Sequence, residues 1–100
     1  MSICNPTSSI EDEFELLERH ISVLKTVMDN QPIGLIRLSE TTGIPKHKIR
    51  YSLKFLEQQD IIRATTEGAI VTDRYEEFMY SLKKGIDALL SKAESLRETL

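Results

Sequence analysis

IGLIRLSETTGIPKHKIRYSLKFLEQQDIIR, residues 33–63, reads as two short helices joined by a tight turn. Gly43-Ile44 supplies the backbone freedom that ends the first helix, and Pro45 suits a first helical position that needs no amide donor. The second helix is thereby predicted over residues 45–59. At about 100° per residue, Pro45, Ile49, Ser52, Leu53 and Leu56 fall on one side of it, and His47, Arg50, Tyr51, Lys54 and Gln58 on the other. One face packs and the other points outward. The first helix, Leu35 to Thr42, is about two turns long and too short to stand alone. It has to bury Leu35, Ile36 and Leu38 against neighbours, which makes it part of a trihelical unit.

Downstream, Ile61-Ile62-Arg63-Ala64-Thr65 and Ala69-Ile70-Val71 are β-prone runs separated by Thr66-Glu67-Gly68, the composition of a small hairpin. Its tip carries Glu67, with Thr65 and Thr66 as weak phosphate donors, so minor-groove reading is not expected of it. Asp73 and Glu76 then stand at capping-box spacing, and no proline follows. In the long last helix Tyr75, Met79, Leu82, Ile86, Leu89, Ala93, Leu96 and Leu100 fill every heptad core position over more than three heptads. Such a stripe outruns the trihelical unit and predicts a second copy of the chain as partner. Gly85 and Ala93 weaken a lone two-stranded zipper and favour a bundle, with both long helices of each chain in the interface. The alternative is a monomer in which this helix folds back on the first.

Upstream, Ser8-Ser9-Ile10-Glu11 has capping-box spacing and predicts a helix start after a tail over 1–9. Ile10, Phe14, Leu17, Ile21, Leu24 and Met28 recur at helical intervals, with Leu16, Val23 and Val27 as a second stripe, so this helix needs two packing partners. Gln31-Pro32 ends it. Its front half carries Glu11, Asp12, Glu13, Glu15 and Glu18 against Arg19, which suits a helix N-terminus and a solvated face. Three segments follow: a tail over 1–9, a unit over 10–73, and the association helix over 74–100.

The chain has 100 residues and a net charge of −3, enough for one domain with a modest core. Its one cysteine, Cys4, excludes an intrachain disulfide and fits a reducing compartment; with no membrane-length apolar run and no signal-like start, a soluble cytoplasmic protein is expected. His20 and His47 have no partner at metal-ligand or nucleophile-base spacing, and there is no phosphate loop, so neither catalysis, metal nor cofactor is expected. His20 is read as an ordinary surface residue.

The ordered series Leu38-Ser39, Thr42-Gly43-Ile44, Ile49, Leu53, Leu56-Glu57 and Ile61-Ile62 resembles the helix-turn-helix of winged-helix proteins. PIGLIRLSETTGIPKHKIRYSLKFLEQ, residues 32–58, is particularly similar to small archaeal proteins predicted to be transcriptional regulators. Where many members have glycine before the closing pair this chain has Asp60, which tolerates left-handed backbone better than most residues. The resemblance implies a mostly α fold with a small β-hairpin wing: a winged helix-turn-helix, here with a long C-terminal dimerisation helix. It also implies a regulator that binds double-stranded DNA.

Charge supports that partner. Residues 34–63 hold six cations against three anions, a balance of +3 in a chain whose remainder stands at −6. Lys46, His47, Lys48, Arg50, Tyr51 and Lys54 are the candidate DNA contacts, with Arg50 for base reading and the lysines for phosphates. The competing reading is a winged helix that binds protein instead of DNA. An exposed Phe55 favours that reading; a Phe55 packed on the wing or first helix favours DNA. Whether a small molecule modulates the protein is not legible in the residues.

Overall fold

The computed structural model describes residues 5–100, and Cys4 lies outside them. Along the chain run α1 (Ser8–Asn30), α2 (Leu35–Thr42), α3 (Lys46–Gln58), β1 (Ile62–Thr65), β2 (Gly68–Val71) and α4 (Tyr75–Glu98). This is a winged helix-turn-helix with a long C-terminal helix.

Its core is the meeting place of α1, α2, α3 and the hairpin: Val23, Leu24, Val27, Ile33, Leu38, Ile49, Leu56, Ile61, Ile62 and Ala69. On α1 the core face is Val23, Leu24 and Val27, drawn from both stripes, while Ile21 is half-buried and Met28 exposed. On α2 Leu38 is buried and Leu35 half-buried, but Ile36, expected inside, is exposed because it lies on the opposite side of a two-turn helix.

The turn between α2 and α3 is held by local bonds. Gly43 adopts φ +74°, and its N–H donates to the Ser39 carbonyl at 2.9 Å. The Ser39 hydroxyl donates to the Ile44 carbonyl at 2.7 Å, and the Ile44 N–H to Thr42 Oγ1 at 3.2 Å. Pro45 is the residue before α3 rather than its first; its carbonyl accepts from the Lys48 and Ile49 amides. The other end of α3 is a Schellman closure: Ile61 N–H to Leu56 carbonyl at 3.0 Å and Asp60 N–H to Glu57 carbonyl at 2.9 Å, with Asp60 left-handed at φ 60°. Aspartate fills there the left-handed position that glycine commonly takes at helix C-termini, and Ile61 enters the core behind it.

The wing pairs antiparallel with Ile62 opposite Val71 and Thr65 opposite Gly68, and Ile33 adds a bridge to Ala69 through bonds of 3.1 and 2.8 Å. Gly68 is required twice over. It has φ +133°, and a Cβ there would lie 2.6 Å from the Ile33 carbonyl carbon.

Neither expected capping box forms. α1 begins one residue earlier than the box requires, with Thr7 as its cap and the Thr7 hydroxyl 3.1 Å from Glu11 Oε1. Ahead of α4 it is Thr72, not Asp73, that organises the turn: its Oγ1 accepts from the Arg74 N–H at 3.2 Å and donates to the Asp60 carbonyl at 2.7 Å.

Tyr75, Phe78 and Met79 pack against the core, Leu82 is half-buried, and every residue from Lys83 on is exposed. Two members of the expected dimer stripe, Tyr75 and Met79, therefore serve their own chain. The extents of 53 × 35 × 20 Å and radius of gyration of 16.3 Å, against about 13 Å for a compact chain of this length, reflect the uncovered ends of α1 and α4.

Candidate nucleic-acid interface

Helix α3 is anchored by Ile49, Ser52 and Leu56, which are fully buried, and by the half-buried Leu53 and Phe55. That anchoring leaves Lys46, His47, Arg50, Tyr51 and Lys54 exposed on the opposite side. Lys48 is exposed too but turns to the flank, where it lines a cleft with Asp12, Glu15 and Glu18 of α1. All six sequence-predicted contacts are thus exposed, but two of them turn toward α1: Lys48 beside its acidic front, and Tyr51 under the Arg19 guanidinium and across a groove from Phe14 and Leu17. On the wing, Arg63 is exposed, whereas the Thr65 hydroxyl donates to the Gly68 carbonyl at 2.6 Å and is engaged in the turn itself.

The back of α3 carries a polar cluster missed at the sequence level. His20 of α1, expected at the surface, is 4% exposed, and its Nδ1 lies 2.8 Å from Ser52 Oγ. Arg19 Nε donates to the same hydroxyl at 3.3 Å. One proton arrangement satisfies all three groups: Arg19 donates to Ser52, Ser52 donates to Nδ1, and a neutral imidazole carries its hydrogen on Nε2. Burial, and secondarily the charge of Arg19, hold the His20 pKa below its ordinary value, which fits that neutral form. The imidazole stacks on Phe55 at 4.4 Å and lies 5.9 Å from the Tyr51 ring, over which the Arg19 guanidinium sits at 5.6 Å. Two signals were available for this cluster. His20 continues the Val23, Leu24, Val27 face by helical spacing, and Ser52 stands in the packing stripe of α3, where a buried hydroxyl needs a partner.

Among the described residues, no group of histidine, cysteine and carboxylate side chains has the arrangement of a metal site, and no helix is long and apolar enough to cross a membrane. Fold and site together define a winged helix-turn-helix whose exposed second motif helix bears a basic face.

Sequence comparison narrows that class. The profile of the CggR N-terminal DNA-binding domain matches residues 16–86, and the chain belongs to this family. The match spans α1 from Leu16, the motif, the wing and the first half of α4. Among solved structures the chain is similar to the activation domain of the phage T4 transcription factor MotA, with a TM-score of 0.55 and 14% identity, covering 72% of this chain and 83% of that one. At that identity the likeness concerns the fold alone, and the domain so described is an activation domain, so it carries no assignment of DNA binding. No curated protein matches the chain in sequence. Neither match supports the archaeal likeness expected from the motif.

Proposed function

We propose that this chain binds double-stranded DNA sequence-specifically as a homodimeric transcriptional regulator, with α3 in the major groove. The observation that carries the reading is the outward face of α3: Lys46, His47, Arg50, Tyr51 and Lys54 exposed together on a helix whose other face is fixed in the core. A recognition helix enters the groove by its first turns, where arginine pairs with guanine through two hydrogen bonds and lysine meets phosphate. Arg50 is assigned to base reading, and Lys46 and Lys54 to phosphates, since a flexible ammonium positions better than it discriminates. Lys48, on the flank, is the weakest of the contacts. Phe55 is half-buried and stacks on His20 of α1 at 4.4 Å instead of standing free, which supports the DNA reading over the protein-interaction one.

Dimerisation is assigned to α4, residues 74–100, through Leu82, Ile86, Leu89, Ala93, Leu96 and Leu100, with the front of α1 alongside. Ile86, Leu89 and Leu96 are 38%, 48% and 65% exposed; Ile86 and Leu89 face Phe14 and Leu17 of α1 only across open recesses, and Leu96 lies beyond them on the helix. A twofold dimer holding its α3 helices about 34 Å apart would read an inverted repeat with half-sites one helical turn apart.

Selection from random duplex DNA, then titration at several salt concentrations, tests the reading. Arg50→Ala should relax preference at one position of each half-site by about 1–3 kcal/mol, whereas Lys54→Ala should weaken all sequences alike and lower the salt slope by about one. A selection that enriches nothing, with no salt-dependent duplex binding, overturns it in favour of a winged-helix protein-interaction module.

A further inference from the structure

Tyr51 brings the one phenol to the proposed DNA contacts, and its ring does not stand free. The Arg19 guanidinium of α1 lies over it, 5.6 Å from the ring centre, and the His20 imidazole lies 5.9 Å away at 18° to its plane. Two consecutive residues of α1 thus restrain a side chain carried by α3, while Tyr51 keeps 56% of its surface open. We infer that Arg19 is a positioning residue of the DNA-reading face: it holds the Tyr51 ring so that the phenol hydroxyl donates to a DNA phosphate. The inference rests on the DNA binding proposed above and adds to it a residue outside α3.

Two observations single out Arg19. Its Nε donates to Ser52 Oγ at 3.3 Å, and Ser52, the residue after Tyr51, is fully buried and bonded in turn to His20 Nδ1 at 2.8 Å. The guanidinium is therefore tied to a fixed point of α3 beside the ring it lies over. The second observation is what Arg19 forgoes. Glu15 stands four residues before it, a spacing at which a helix pairs opposite charges, yet the one ion pair among the described residues is Arg74 with Asp60. Arg19 reaches across to α3 instead.

A tyrosine on an exposed helix face samples several rotamers, and selecting one of them costs affinity when a partner binds. A cation over the ring face attracts it electrostatically, so the Tyr51 ring is set before DNA arrives. A tyrosine hydroxyl is an ordinary donor to phosphate, and such contacts fix register without reading sequence. Arg50 is the adjacent residue, so a phosphate held at Tyr51 also sets where Arg50 meets its base.

The test is a double-mutant cycle on binding of the full chain to the duplex that selection enriches: wild type, Arg19→Met, Tyr51→Phe and the double variant. Arg19→Met keeps the alkyl stem and removes the guanidinium; Tyr51→Phe keeps the ring and removes the hydroxyl. Each single change should weaken binding about three- to tenfold, and the double variant should bind no worse than Tyr51→Phe alone. Arg19→Met should leave the salt slope unchanged, because Arg19 itself meets no phosphate. Losses that multiply in the double variant overturn the inference, since a role of Arg19 in folding or in long-range charge acts alike in both backgrounds. A salt slope lowered by about one in Arg19→Met overturns it too, by making Arg19 a phosphate contact. If Tyr51→Phe has no effect in a protein whose binding Arg50→Ala does weaken, the inference falls and the DNA reading stands; a wild type without salt-dependent duplex binding overturns both. Should Arg19→Met melt at the assay temperature, Arg19→Lys, which loses the Nε bond to Ser52, takes its place in the same cycle.

Discussion

Ser52 is a small side chain with a large role, because its hydroxyl is what makes a buried histidine and a neighbouring arginine compatible. Ser52→Ala would leave His20 Nδ1 buried without a partner, and thermal or urea denaturation should show a loss of about 1–3 kcal/mol. The histidine also makes stability depend on pH. Its folded pKa is lowered, by burial first and by Arg19 second, so the unfolded chain takes up a proton as pH falls through about 6.5 while the folded chain does not. Stability is therefore complete above that value, declines as pH falls from it to the lowered folded pKa, and levels off below. Urea titrations between pH 7.5 and 5 should show this decline in the wild type and a shallower one in His20→Phe. Asp60 allows an opposite test. Asp60→Gly relieves an L-residue of φ 60° and should be neutral or stabilising by up to about 1 kcal/mol, while Asp60→Val should cost about 1–2 kcal/mol. The exposed Arg74 pair at 3.8 Å contributes too little to reverse that order.

Among the elements, α3 shows the clearest division between a packed and an exposed face. Leu56 is fully buried and Leu53 half-buried, so Leu56→Ala should cost about 2–5 kcal/mol and Leu53→Ala less, a ranking that paired melting curves would check. Equal losses would mean that α3 is rotated from the orientation described. The wing depends on Gly68 in the same categorical way. Gly68→Ala meets backbone atoms of Ile33 at 2.6–2.8 Å as well as an unfavourable φ, so it should break the Ile33 bridge and destabilise the wing. Loss of amide protection at Ile33 and Ala69 in hydrogen exchange would report it. Most of α4 behaves differently: Leu89 touches no closed core in its own chain, and Leu89→Asp should leave the melting of the isolated monomer nearly unchanged while weakening self-association.

For the whole molecule, the distribution of uncovered surface matters more than any contact. A 24-residue α4 is about 36 Å long, and its first two turns alone are anchored in the core. An isolated helix end of that kind is marginal in water unless its apolar face is covered. Concentration should therefore raise both the helix content of dilute solutions and the melting temperature, since association stabilises by mass action. Circular dichroism across a hundredfold dilution would measure this, and a concentration-independent melting curve would argue against the dimer.

Local physics made much of this legible in advance. The α2–α3 turn, the limits of α2 and the small wing follow from glycine conformation, proline chemistry and apolar periodicity, which act within a few residues of chain, and the left-handed Asp60 was expected from the resemblance to winged-helix proteins. The outward face of α3 was legible as well, because a helix fixes which residues share a side. Other features depended on which surfaces meet. Periodicity assigns stripes to α1 but does not say how each is used; α2, α3 and the hairpin took Val23 and Val27 from one and Leu24 from the other, and so drew His20 inward onto Ser52. Tyr75 and Met79 continue the α4 heptads by spacing alone, yet in the structure they pack against the core of their own chain. Lys48 differs from its neighbours only in facing the acidic front of α1. In each case the deciding quantity was the position of a side chain distant in sequence, and that is set by packing rather than by any local preference.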